Sequence, residues 1–372
     1  MKLIKLYIHN YKSFYDTTIE LDKMNIVVGE NNSGKSNLID VLEFIDIARK
    51  ENFYKAISIK GGFEKILNYH YNEKKIIIEL VLEDRVFSIR TRFTVDREVT
   101  VVSLIIYTKK DKMPLHINAS RYRKNTNSMK EKIYTYTKNV LKFTPNLDLF
   151  LFQMTFLAVL RNLSSTYYFT SQIIKESNKS GEDSMLLKDG SNLGKILFDI
   201  KENTSNQFEI ISNSLITTVQ EIYGIDVKKV FGNYPIGFME KNSNEAIAIN
   251  DVSDGTINFL ATITALNQLN NLSLLLVFEE PERHLHSKVV NYLLDSFRSS
   301  EKQILITTHS TEMLKYANLD EVIFIYRDSD GDTQTIRADK VPNLKEKMEY
   351  MKYERSMTLD EMLDEDMVWD FD

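Results

Sequence analysis

No cysteine occurs among the 372 residues, and glycine (12), proline (5) and tryptophan (1) are scarce. The missing thiols exclude a disulfide framework, a thiol nucleophile and a thiolate-ligated zinc or iron–sulfur site. Few glycines and prolines, with 43% hydrophobic and 27% charged residues, exclude collagen-like and disordered classes. Long apolar runs are missing too, since stretches such as residues 274–278 fall far short of the ~20 residues that span a bilayer. The opening MKLIKLYIHNYKSF sets Lys2, Lys5, His9 and Lys12 among its apolar residues without a small-residue cleavage site, so no signal peptide is expected. These exclusions predict a soluble, reduced, cytoplasmic protein with no membrane partner, long enough for two or three domains or one large discontinuous one.

The net charge of −6 conceals an uneven layout. Residues 109–142 are basic, with Arg121, Arg123, Lys124, Lys130 and Lys132 interleaved with Tyr122, Tyr134 and Tyr136. That mixture suits phosphate tracking and base stacking on DNA or RNA, and equally suits a solvated hairpin. The end, TLDEMLDEDMVWDFD, is acidic and holds Trp369 among Met367, Val368 and Phe371, as a disordered tail or a docking peptide would.

Hydrophobic patterning predicts strands at 3–8, 17–21 and 25–28, the last apolar enough to be buried on both faces, followed by a helix at 37–48. Residues 75–108 carry β-branched runs separated by charged turns, which predicts an antiparallel meander. Helical texture is expected at 139–163 and 192–223. An α/β alternation follows: helix 256–269, strand 272–278, helix 288–299, and strands 303–307 and 321–326. No internal repeat or long heptad stretch occurs.

Four motifs carry chemistry. Gly29-Glu30-Asn31-Asn32-Ser33-Gly34-Lys35-Ser36 fits GxxxxGK[ST] between the buried strand and the helix. Backbone N–H groups there wrap a phosphate chain, Lys35 reaches its outer phosphates and Ser36 ligates Mg²⁺; the two glycines stand where a side chain would block the anion. An apolar strand ends in Glu279-Glu280-Pro281-Glu282. Adjacent acids at a buried strand's end are costly unless a cation or a water uses them, so Glu279 is a candidate Mg²⁺ ligand and Glu280 a candidate base. A second apolar strand ends in Thr307-Thr308-His309-Ser310, where His309 suits a hydrogen bond to a terminal phosphate. Ser253-Asp254-Gly255-Thr256 opens a helix; alone it reads as an ordinary cap. His284, His286 and Glu282 match no standard zinc ligand set.

In this order the four motifs resemble the ABC-type ATPase heads of the SMC, RecF and OLD group. GENNSGKSN resembles the group's Walker A, which adds Asn37 to the ATP contacts; SDGT resembles its signature loop, VFEEPE its Walker B with D-loop, and TTHS its H-switch. The opening IHNYKSFYDTTIEL is similar to the group's first strand and turn, and YYFTSQ offers Gln172 as Q-loop residue, a role for which Gln153 competes. The texture is closest to small OLD-like AAA ATPases of bacterial phage-defence modules. The resemblance implies an α/β ATPase head over residues 1–345. Residues 1–140 hold the Walker A and an antiparallel β subdomain, 141–250 form an inserted helical lobe, and 251–345 carry the signature, Walker B and H-switch; an acidic tail follows at 346–372. It further implies a homodimer with ATP and Mg²⁺ sandwiched between heads, Ser253 and Gly255 of one copy meeting the nucleotide of the other. Glu279 stands where aspartate is usual and Asp254 where glycine is, which implies slow turnover. No long heptad arm and no room for a Toprim nuclease are seen, so a separate effector protein is implied. The alternatives are an ATP-dependent scaffold with negligible hydrolysis, a DNA repair or maintenance ATPase, and a transporter subunit, the last disfavoured by SDGT and YKSF.

Overall fold

The computed structural model describes residues 1–85, 87–97, 99–108, 114–123, 163–177, 183–241, 243, 245–268, 271–355, 359 and 361. Along the chain come β1 (Lys2–His9), β2 (Thr17–Glu20), β3 (Met24–Val28), α1 (Lys35–Lys50), α2 (Phe53–Ile59), α3 (Phe63–Ile66), β4 (Lys75–Glu83), β5 (Phe87–Asp96), β6 (Val99–Thr108) and β7 (Pro114–Arg123). There follow β8 (Ser164–Tyr167), α4 (Ser171–Glu176), α5 (Leu193–Asn203), α6 (Ser205–Thr218), β9 (Ile222–Val227), β10 (Ile236–Glu240) and β11 (Ile247–Ala248). The last are α7 (Asp254–Asn267), β12 (Leu275–Glu279), α8 (Ser287–Ser299), β13 (Gln303–Thr308), α9 (Thr311–Leu314), β14 (Val322–Arg327), β15 (Thr333–Arg337) and α10 (Leu344–Arg355). Two compact units divide these elements. One comprises Met1–Ser165, Ser273–Leu275 and Ile323–Lys340, the other Thr166–Leu272, Leu276–Val322 and Val341–Asp372.

In the first unit, β2, β1, β4, β5, β6 and β7 pair in that order as an antiparallel sheet, so the predicted meander is present and extends to β7. Its register sets Leu6 opposite Leu80, Ile8 opposite Ile78 and Leu82 opposite Ile89. Alternation then sends Leu6, Ile8, Ile78, Leu80, Leu82, Ile89 and Phe93 into the core, and the register shift between Leu3 and Lys5 brings Leu3 there as well. β3, MNIVV, is buried along its whole length, as its unbroken apolar run demands. Beside it lies β14, which pairs antiparallel with β15, a strand the sequence did not predict. β15 reads TQTIR, too polar to announce itself, and is held by long-range partners: Thr17 Oγ1 donates to Thr333 O (2.5 Å) and Thr335 Oγ1 to Thr18 O (3.0 Å).

In the second unit, β12 and β13 are neighbours and both are buried. Residues 255–265 of α7 are buried on every side, which makes it a core helix, whereas α8 turns only Val290, Leu293, Leu294 and Phe297 inward. The Phe278 ring sits between those of Tyr167 (5.4 Å) and Phe297 (5.0 Å). The helical expectation for 192–223 needs correction: α5 and α6 divide at Thr204, and the chain turns to strand from Ile222. The lobe expected to be helical also holds the three-stranded sheet β9–β10–β11. Its strands are short runs such as IYGIDV, which periodicity alone cannot tell from helix; pairing decides them.

The expected helix at residues 139–162 lies outside the described residues, as does most of the acidic tail, while α10 occupies residues 344–355. Among the described residues no helix is long and apolar enough to cross a membrane.

Candidate functional site

The glycine loop belongs to the first unit. β3 delivers the chain to Gly29, and the loop turns through positive φ at Asn32 (67°) and Gly34 (119°) before α1. A Cβ on Gly34 would stand 2.4 Å from Thr333 Oγ1, and one on Gly29 2.0 Å from Ile325 O. Both glycines are therefore demanded by the β14–β15 hairpin behind the loop, a requirement separate from the one the phosphate imposes. Thr333 Oγ1 donates to Ser33 O (2.8 Å) and shares a hydrogen bond with Ser13 Oγ (2.8 Å), which accepts from Asn37 Nδ2 (2.8 Å). Arg327 donates from Nε to Asn32 O (3.0 Å) and from Nη1 to Gly331 O (2.7 Å), tying loop to hairpin.

Lys35 is buried, and its ammonium donates to Gly29 O (2.5 Å), Glu30 O (2.7 Å) and Ser33 Oγ (3.4 Å), inside the curl of the loop. α1 begins at this lysine with Gly34 as N-cap, without a side-chain cap and without an acid in its first turn. A cation at that end opposes the helix dipole, and the uncapped N–H groups call for an acceptor; an anion answers both. Asn31, Asn32 and Ser36 are exposed beside it, while Asn37 is turned to Ser13.

The carboxylates belong to the second unit. After Glu279 the chain reverses at Glu280 (φ 46°), whose N–H donates to Thr307 O (2.9 Å). Arg283 N to Glu280 O (3.1 Å) and Leu285 N to Glu282 O (2.9 Å) close the turn. Glu279 and Glu280 are half-buried, and His309, exposed at the end of β13, brings Nε2 to 3.7 Å from Glu280 Oε1. Glu282 is buried against Thr308, with which it shares a hydrogen bond; burial, with a smaller contribution from the Glu280 charge, pushes its carboxyl up to about 7. Glu279, Glu280, Asn258, Tyr167 and Phe169 line a small open pocket.

Ser253 caps α7, its Oγ accepting from Thr256 N (3.2 Å). Ser253 and Asp254 are exposed, but Gly255 and Thr256 are buried, and a Cβ on Gly255 would meet His284 O at 2.2 Å. Asn258 Nδ2 donates to Arg283 O (3.4 Å), so the start of α7 packs on the acidic turn. Asp254 pairs with Lys175 (2.9 Å), and hydrogen bonds from Lys175 and Ser171 hold its carboxyl below the usual range. Gln172 is exposed on α4 and donates to Glu176 Oε1 (2.9 Å).

Arg121 and Arg123 fall on β7, while Lys124, Lys130 and Lys132 lie outside the described residues. Among the described residues no three His, Asp or Glu side chains are arranged to hold a metal, and His286 instead caps α8. The sequence overlooked Thr333 and Arg327, about 300 residues from the loop they brace and without local signal, and the bond between Glu282 and Thr308, both of which stood inside motifs.

Comparison with known proteins places this geometry. The chain is similar to the Old nuclease of Escherichia phage P2, 23% identical over 368 residues that cover 89% of this chain and 60% of that protein; it thus spans about 60% of that relative's length. It is also similar to an ATP/GTP phosphatase of Helicobacter pylori, 24% identical over 349 residues, 85% of this chain and 87% of that one. Among solved structures, an SmcHead bound to the C-winged helix domain of ScpA matches with a TM-score of 0.56 and 18% identity, covering 90% of this chain and 98% of that one. The fold is accordingly that of an ABC-type ATPase head of the SMC and OLD kind. The family described as "AAA domain, putative AbiEii toxin, Type IV TA system" matches residues 24–315, and the chain belongs to it.

Proposed function

We propose that the chain binds ATP with Mg²⁺ and hydrolyses it slowly, as a homodimer that serves as a nucleic-acid-linked sensor or scaffold controlling a separate effector protein in bacterial anti-phage defence. The observation that carries the reading is the start of α1: a sixteen-residue helix without a side-chain cap or first-turn acid, opening on a buried lysine. Such an end is at odds with its dipole unless an anion sits there. The similarity to an ATP/GTP phosphatase and to the Old nuclease supports the same class of chemistry.

In this reading the N–H groups of residues 29–37 and the Lys35 ammonium hold the phosphates, the ammonium exchanging loop carbonyls for phosphate oxygens. Ser36 and Glu279 hold the Mg²⁺, which neutralises charge on the phosphate oxygens when bound. Glu280 takes the proton of the attacking water and His309 steadies the terminal phosphate. Ser253, Asp254, Gly255 and Thr256 serve the nucleotide of the second copy; with Gly255 and Thr256 buried, the exposed Ser253 and Asp254 make the approach, and Lys175 offsets the Asp254 charge. Gln172 joins from α4. Arg121, Arg123, Lys124, Lys130 and Lys132 supply the nucleic-acid contact.

A scaffold that binds ATP without turnover is the second reading. It is favoured by the proximity of His309 to Glu280 (3.7 Å), because a protonated imidazole there occupies the base. Wild type and Glu280→Gln separate the two under single-turnover conditions, with and without DNA or RNA. Hydrolysis by the wild type that falls roughly 10²-fold or more in Glu280→Gln, with ATP binding retained, supports the enzyme. Equal near-zero rates support the scaffold, and light scattering with ATP checks the two-copy assembly.

A further inference from the structure

Glu282 has no part in the roles above, yet it is the deeply buried acid of its turn, 8% exposed. One carboxyl oxygen bonds the Thr308 hydroxyl; the other, Oε2, is buried without a hydrogen-bond partner among the described residues. A half-satisfied buried carboxyl is costly, and an apolar side chain would fill the space without that cost. Thr308 is fully buried, and its Oγ1 also accepts from Ser310 N (2.8 Å), closing the turn on which His309 leaves β13. A single hydroxyl therefore meets the acidic turn on one side and the backbone around His309 on the other. The backbone bond from Glu280 N to Thr307 O (2.9 Å) runs alongside. Together these contacts set the separation between Glu280 and His309.

We propose that Glu282 is a positioning residue for hydrolysis: through Thr308 it fixes the His309 imidazole relative to the Glu280 carboxylate. The inference rests on the ATPase reading for its kinetic consequence, but its structural consequence stands apart from turnover. Glutamine reproduces the bond to Thr308 without the charge, whereas alanine removes it and Thr308→Val deletes the other partner.

The test pairs kinetics with a signal from the imidazole itself. Protein carrying ¹³C-labelled histidine, with the His309 resonance assigned by His309→Ala, is compared as wild type, Glu282→Gln, Glu282→Ala, Thr308→Val and the Ala/Val double variant. Expected are a fall in kcat of about tenfold to a hundredfold in Glu282→Ala and Thr308→Val with KM for ATP within about twofold, since misplacement acts on the reacting geometry. The double variant should be no worse than Thr308→Val alone, because the Thr308 hydroxyl carries both the bond to Glu282 and the one from Ser310 N. The His309 resonance should move in the same variants and return in Glu282→Gln. If Glu282→Ala does not fold, Thr308→Val and Glu282→Gln carry the comparison. An unmoved resonance in Thr308→Val, or unchanged kcat there in an active wild type, overturns the proposal. A wild type without turnover whose His309 resonance still responds overturns the ATPase reading and leaves the positioning role standing.

Discussion

The glycine loop of the first unit and the acidic turn of the second hold their functional groups by opposite means. In the loop the working groups are backbone N–H groups and one lysine, and the bracing comes from Thr333 and Arg327 bonding to backbone carbonyls of residues 32 and 33. Neither brace titrates near neutrality. In the turn the working groups are carboxylates, and the brace is itself a carboxyl that burial pushes up to about 7. A backbone site fails when a side chain is added, and a side-chain site fails when a charge is moved.

The largest expected effect attacks the loop. Gly34→Ala puts a Cβ at positive φ and 2.4 Å from Thr333 Oγ1, which should cost roughly 3–5 kcal/mol of stability and abolish binding of a fluorescent ATP analogue. Adding Thr333→Ala relieves the overlap but not the backbone strain, so recovery should be partial. Full recovery in thermal melts would show that φ matters little there.

Next comes the pH dependence of the turn. The Glu282 carboxyl rises from its ordinary 4.5 to about 7 in the folded chain. Below pH 4.5 both folded and unfolded chains keep this proton. Between about 4.5 and 7 the unfolded chain releases it while the folded chain holds it, so stability falls as pH rises across that window and then levels. The difference amounts to roughly 3 kcal/mol. Denaturant unfolding of wild type against Glu282→Gln at several pH values should show this slope vanish in the variant; the loop variants should leave it intact.

A smaller effect is expected from Arg327→Ala, which removes the donors to Asn32 O and Gly331 O. Stability should fall by about 1 kcal/mol and ATP affinity about fivefold, with no change in pH dependence. The smallest is Lys175→Met. The pair with Asp254 is partly exposed, so stability should stay within about 1 kcal/mol while ATP-dependent association of two copies weakens about threefold in sedimentation.

How much was legible follows the range of the interactions. β3 and α1 were legible because an unbroken apolar run and a 3.6-residue period are local patterns, and GxxxxGKS between them is a local backbone instruction. β4 to β6 were legible from their β-branched runs between charged turns, while β9 to β11 were not, since their runs are too short to outvote the helical texture around them. The chemistry-bearing residues of β12 and β13 were visible because a charge at the end of a buried strand is conspicuous. Which acid would be buried was not visible: Glu279, Glu280 and Glu282 look alike in a string, and only the reversal at Glu280 (φ 46°) turns Glu282 toward Thr308.

By itself the sequence determined the α/β class, the loop with its lysine, and the absence of thiol chemistry, because each depends on residue type or short-range period. Tertiary structure decided why the scarce glycines stand where they do. Gly29 and Gly34 lie under Ile325 and Thr333, and Gly255 under His284, because strands and turns remote in the chain approach closer than a methyl group allows. It also decided which carboxyl keeps its proton, since burial and partners, not spacing, set that balance.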